Sequence, residues 1–265
     1  MNFGVIIIGD EILSGKRADK HLPKAIELLA ARGLSLAWAR YVGDDRERIT
    51  ADLRHAFACG DVVFSCGGIG ATPDDHTRQC AAAALGVPLA LHPEARDLIH
   101  ERMRETAAEQ GVAYEPDRPD NVHRLNMGVF PEGARIIPNP YNKIAGFTVG
   151  QVHFVPGFPV MAWPMIEWVL DHRYAALQGQ GVSSERSVIV FGAMEATLTP
   201  LMERIEAAFE GVKVFSLPSV DHPEHGRHIE LGVKGRGGET LAAAYRALLD
   251  GLAGHGARLG PELVR

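Results

Sequence analysis

At 265 residues, 46% hydrophobic and 23% charged, the chain has the balance of a soluble globular protein with one large domain or a medium and a small one. A net charge of -6 argues against a broad electrostatic grip on nucleic acid, and no apolar run reaches the ~18 residues of a membrane span. The three cysteines, Cys59, Cys66 and Cys80, show no metal spacing, and their odd number argues against a disulfide framework.

The N-terminus enters a strand at once, which leaves no room for a signal peptide, and the cysteines read as buried, reduced thiols, so a cytoplasmic protein is expected. The first strand is the apolar run Val5-Ile-Ile-Ile8, short enough to be buried on both faces. Asp19 then opens a helix with Leu22, Ile26 and Leu29 on its buried face, ended by Gly33. Residues 35–42 alternate as a second strand, and residues 46–59 read as a helix burying Ile49, Leu53, Ala56 and Phe57. Residues 61–66 form a third strand, and residues 73–85 a third helix stopped by Gly86. This alternation predicts a parallel sheet with right-handed crossovers, whose ligands gather beyond the carboxyl ends of the strands.

A polar helix is expected over residues 94–110, then a Pro- and Asp-rich loop up to Asn126. Short strands follow at residues 134–137, 146–149 and 152–155, then a turn at Gly157-Phe158-Pro159 and a helix over residues 161–170. Trp163 and Trp168 on that helix read as core or subunit-interface residues. Residues 176–185 have linker composition. Beyond them a strand–helix–strand–strand–helix unit over residues 186–255 precedes a Gly- and Pro-rich tail at 256–265. His222, His225 and His228 lie in a Pro- and Gly-containing segment and read as an exposed turn.

The segment GGIGATPDDHT, residues 67–77, carries the strongest chemical signal. Gly67, Gly68 and Gly70 let backbone N–H groups approach a ligand, and a helix start behind them suits a phosphate. Asp74 and Asp75 would repel that phosphate unless a divalent cation sat between them. The alternative is a capping box: Thr72 and Asp75 at the helix start, with Pro73 as its first residue, contribute about 0.5–2 kcal/mol without any ligand. Two more strand ends deliver glycine and carboxylate to the same edge. These are Gly9-Asp10-Glu11-Ile12-Leu13-Ser14-Gly15 and Gly43-Asp44-Asp45, where Asp44 or Asp45 also serves as a helix cap.

GDEILSG, VGDD and GGIGATPDD together resemble the molybdopterin-binding fold of molybdenum-cofactor biosynthesis proteins, most nearly the N-terminal part of the CinA type. NPYNKIAGF at residues 139–147 and FVPGFP at 154–159 continue the resemblance, which covers roughly residues 1–170. It implies a three-layer α/β sandwich around a mostly parallel sheet at residues 1–175, followed by a small α+β domain. Gly67, Gly68, Gly70 and Thr72 would hold phosphate. Asp44 and Asp75 match the family aspartates of metal and phosphoryl chemistry, and so would be catalytic and would hold Mg²⁺ or Mn²⁺. Asp10, Glu11, Ser14 and Gly15 would line the ligand loop. Asn139, Gly146, Pro156 and Gly157 would close the pocket, with Lys143 as a phosphate ligand or a solvated lysine.

The chain departs from the family pattern at Ala71, at Asp19-Lys20-His21 and in the loop 141–146. The resemblance implies a metal-dependent pyrophosphatase acting on ADP-ribose or a similar dinucleotide. The alternatives are nucleotidyl transfer to molybdopterin, or plain binding of a pterin or nucleotide. It also implies self-association. Longer relatives carry a nicotinamide-nucleotide amidase domain after the small domain, and that activity is expected to be absent. The small domain occupies the place of a KH-like domain without a GxxG loop, and no RNA binding is expected of it.

Overall fold

A computed structural model describes residues 1–179, 183–224 and 226–264. The chain divides into two compact units, Met1–Gln178 and Gly179–Arg265.

In the first unit β1 (Phe3–Ile8), β2 (Leu36–Val42) and β3 (Val62–Cys66) alternate with α1 (Asp10–Leu13), α2 (His21–Ala30), α3 (Arg46–Ala58) and α4 (Thr77–Leu85). β4 (Leu89–Leu91), α5 (Pro93–Glu109), α6 (Pro119–Arg124) and β5 (Val129–Pro131) follow. The unit ends with β6 (Arg135–Ile137), β7 (Gly146–Val149), β8 (Val152–Val155) and α7 (Pro159–Arg173). The main sheet has the order β2-β1-β3-β8-β7-β6, parallel across its first four strands and antiparallel at the last two. Successive side chains of a strand point to opposite faces, and β1 separates its residues accordingly. Phe3, Val5 and Ile7 pack with Leu28, Leu29 and the α7 residues Ile166 and Val169. Ile6 and Ile8 pack with Ile49 and Leu53 of α3 and Ala81 of α4. Helices therefore cover both faces, which makes the α/β three-layer sandwich.

Trp163 and Trp168 pack, partly buried, against the α2–α7 side. On the other side Phe130, Phe147 and Phe154 stack with ring centroids 4.7 and 4.3 Å apart, which ties β5 to the main sheet.

Several expectations are corrected. The buried face of α2 is His21, Ala25, Leu28 and Leu29, spaced by four and three, while Ile26 is exposed. α4 starts at Thr77, not at residue 73. Asp75 Oδ2 accepts from the Thr72 N–H at 2.9 Å and from the Thr72 hydroxyl, a local bond that competes with helix. The loop before residue 126 contains α6 and a 3₁₀ turn at Leu125–Gly128. β4 and β5 form a two-stranded ribbon whose partners lie too far apart in sequence to be read from periodicity.

The second unit consists of β9 (Ser183–Phe191), α8 (Glu195–Ala208), β10 (Lys213–His222), β11 (Gly226–Arg236), α9 (Glu239–Gly254) and β12 (Arg258–Val264). Its antiparallel sheet has the order β10-β11-β9-β12 and packs Val188, Val190 and Leu231 against Leu201 and Ile205 of α8 and Leu248 of α9. The expected tail is thus largely a strand, because β12 pairs with β9. The expected linker overlaps β9, which begins at Ser183. The three-histidine segment does contain an exposed turn, at Pro223 and Glu224, but His222 belongs to β10, paired with Gly226, and His228 is buried in β11. His225 lies outside the described residues. Among the described residues no helix is long and apolar enough to cross a membrane.

Candidate functional site

The carboxyl ends of β1, β2 and β3 converge as parallel pairing requires. Ile8 is in register with Val42, and Gly9 N–H donates to the Val42 carbonyl at 3.0 Å. The loops that leave these strands are cross-tied. Asp10 N–H donates to Asp44 Oδ2 at 2.9 Å, and Asp44 N–H donates to Asp10 Oδ1 at 3.2 Å. Asp45 caps α3 by accepting from Arg48 N–H at 2.8 Å, so Asp44 is not the cap.

The glycine turn is shaped by steric necessity. Gly67 has φ +106° and a Cβ there would lie 2.4 Å from the Ile8 carbonyl oxygen. Gly68 has φ +68° and its Cβ would lie 2.2 Å from Thr77 Oγ1. The fold therefore demands both glycines whether or not a ligand binds. Thr77 N–H donates to the Gly68 carbonyl at 3.0 Å, and the Thr77 hydroxyl to the Gly67 carbonyl at 3.0 Å. The first donor of α4 is thus spent on the turn and is not offered to a phosphate. Arg78, buried, donates through Nη2 to the Gly70 carbonyl, while its Nε and Nη1 are buried without a partner. Burial lowers the Arg78 pKa, and nearby Asp75 opposes that shift. His123 of α6 binds the Ala71 carbonyl at 3.0 Å.

A cavity of ≈ 770 Å³ opens on this turn. Glu11, Asp44, Gly67, Gly68, Gly70, Thr72, Asp75, Pro156 and Gly157, all anticipated from sequence, line it. Asp10 and Ser14 instead line an adjoining open recess, together with Glu11, Lys16, Asp44 and Asp74. Gly15 lines neither; it ends the short turn after α1 with φ +72°. Asn139 is buried and holds its own loop, donating to the Ile144 carbonyl at 2.9 Å and accepting from Tyr141 N–H at 3.0 Å. Gly146 is a packing glycine, since a Cβ there would lie 2.3 Å from the Phe154 carbonyl oxygen. Lys143 is not on the cavity wall and pairs with Glu101 at 2.6 Å and with Glu105, both on α5.

The cavity also holds groups that sequence reading passed over. Lys16 and Arg17 bring two cations to a wall otherwise acidic with Glu11, Asp44, Asp74 and Asp75. They directly follow Gly15 in a loop read only for its carboxylates. Asp74, expected at the helix start, lies on the wall instead, because α4 begins three residues later. Arg78, which is not on that wall, left a visible signal: it stands in the polar first turn of a helix that is apolar from Cys80 to Leu85. Met127, Ile144, Phe158 and Met161 supply an apolar side.

Burial pushes the Asp44 carboxyl above its usual range, and neighbouring Asp10, Glu11 and Asp74 add to this; the Asp10 N–H pulls the other way. Among the described residues no cluster of three His, Cys, Asp or Glu side chains is arranged to hold a metal ion.

Residues 4–176 match the family model described as "Probable molybdopterin binding domain". The chain is 33% identical over 263 residues to a CinA-like protein of Anaeromyxobacter sp. (strain K), covering 96% of this chain and 60% of that one. It is 36% identical over 182 residues to a CinA-like protein of Anaeromyxobacter dehalogenans (strain 2CP-1 / ATCC BAA-258), covering 67% of this chain and 42% of that one. The chain thus spans roughly half the length of such curated relatives, between 42% and 60% in these two. Among solved structures, that of the protein CinA from Thermoplasma acidophilum matches with a TM-score of 0.54 at 27% identity, covering 64% of this chain and 98% of that one.

Proposed function

Because the chain belongs to the family described by the probable molybdopterin binding domain, we propose that its cavity binds a phosphorylated nucleotide or pterin and hydrolyses a pyrophosphate bond in a substrate such as ADP-ribose. The observation that carries this reading is that Asp44 and Asp75, from different strand ends, line one cavity with the glycine turn and two cations. The resemblance to CinA-type proteins supplies ADP-ribose as the first substrate to try.

Mg²⁺ or Mn²⁺ fits the donors present. Carboxylate oxygens are hard ligands, and Mg²⁺ typically takes one or two of them, completing its shell with water and substrate phosphate. Such an ion needs few protein ligands, and among the described residues no three-residue protein cage is found. Asp44 and Asp75 would hold it, and when bound it supplies neutralisation of phosphate charge and activation of water. Burial is the main cause of the raised Asp44 pKa, and the neighbouring Asp10, Glu11 and Asp74 that add to it also favour a cation there. Lys16 and Arg17 offset the remaining phosphate charge from the opposite sign, Arg17 by a fork that matches two phosphate oxygens. Arg78 holds the Gly70 carbonyl from behind and keeps the turn in shape.

A second reading, binding of a pterin or nucleotidyl transfer to molybdopterin, is favoured by the apolar side of the cavity, which suits a flat ring. Two assays separate the readings. Wild-type protein should release AMP from ADP-ribose or FAD with Mg²⁺ or Mn²⁺, and Asp75→Asn should lower the rate by about a hundredfold. Absence of metal-dependent turnover over a dinucleotide panel would sink hydrolysis, and a pterin titration would then test the second reading.

A further inference from the structure

Phe158 is an aromatic side chain left 57% exposed at the boundary between two cavities. One is the large cavity of the glycine turn. The other, of ≈ 300 Å³, is lined chiefly by apolar groups, among them Ile7, Ile12, Ala18 and Pro159, with buried His21 at its wall. Ile8, Glu11, Arg17, Gly157 and Phe158 belong to both linings, so the two spaces adjoin along this seam. A space of that size is at the low end for small-molecule sites: it takes a ring system, not a whole dinucleotide.

The backbone beneath Phe158 is fixed from both sides. A residue before proline is held to extended conformations, and Phe158 has φ -87° and ψ 119°. Pro159 opens α7, where its preset φ suits the first helical position. On the other side His21 Nε2–H donates to the Gly157 carbonyl at 2.9 Å, a bond spanning 136 residues from a side chain only 5% exposed. His21 therefore anchors the peptide from which Phe158 projects.

A rigid aromatic left in solvent beside an apolar recess gains most from a flat partner, since stacking buries its face at little entropic cost. We infer that Phe158 is a stacking platform for the planar heterocycle of the ligand, a purine or a pterin ring received by the smaller cavity while the phosphate end lies at the glycine turn. The inference rests on the proposed nucleotide or pterin site and adds to it the place of the ring and the residues that set it, with His21 as a positioning residue.

Calorimetric titration of the full chain tests this with four probes: ADP-ribose, AMP, inorganic pyrophosphate and 6-hydroxymethylpterin. Phe158→Ala should weaken ADP-ribose about tenfold or more and shift pyrophosphate by less than about twofold, and Phe158→Tyr should restore the loss. Competition between 6-hydroxymethylpterin and AMP in the wild type tells which ring the platform holds. Unchanged ADP-ribose affinity in Phe158→Ala, or an equal loss for pyrophosphate, overturns the platform and leaves the site standing. A wild type that binds none of the probes removes both.

Discussion

The glycine turn at residues 67–75 and the asparagine loop at residues 139–146 wall the same cavity and are shaped by opposite means. The turn depends on atoms that are missing: Gly67 and Gly68 have no room for a Cβ, and their backbone takes φ values that other residues adopt only at a cost. The loop depends on atoms that are present. Asn139 and Asn142 bond within their own segment, Asn142 Oδ1 accepting from the Asn139 amide at 2.8 Å and from Ile144 N–H at 3.0 Å. One wall is thus set by exclusion and the other by satisfied polar groups, and the two should fail differently.

Gly67→Ala should have the largest effect. Its Cβ meets a main-chain carbonyl that cannot rotate away, and the expected loss is about 3 kcal/mol in urea unfolding. Asn139→Ala should cost less, about 0.5–1.5 kcal/mol, because it removes the bonds to the Ile144 carbonyl and the Tyr141 N–H but leaves the backbone unstrained. Equal losses for the two variants would erase the contrast. Lys143→Gly should have the smallest effect: Lys143 has φ +64°, natural to glycine, and its ion pairs with Glu101 and Glu105 are exposed. Its denaturation midpoint should stay level or rise slightly. A clear fall would mean that the ion pairs, not the amides, hold the loop.

The same contrast explains what was legible in the sequence. Glycines and buried runs leave a mark in any chain, so β1, β3, the turn and the carboxylates at the strand ends were readable before any coordinates. The start of α4 was not, because the Asp75 bond to Thr72 looks the same in sequence as a capping box. Lys143 and Gly146 were read as pocket residues, yet one is drawn to α5 and the other is pressed against β8. Lys16 and Arg17 were missed for a plainer reason. A cation beside carboxylates in a loop has no period, and only the fold shows which way the loop turns. β4, β5 and β12 escaped notice because their partners are distant in sequence.

The pairing of β12 with β9 has a consequence for how the second unit comes into being. Arg258 meets Phe191 and Val264 meets Arg186, so the strand that opens the unit is flanked by the one that closes it. The first unit pairs three parallel strands within residues 3–66 and can organise that part early, whereas the second cannot complete its sheet until its last strand arrives. Until then β9 carries a bare edge that is open to wrong partners during synthesis and refolding.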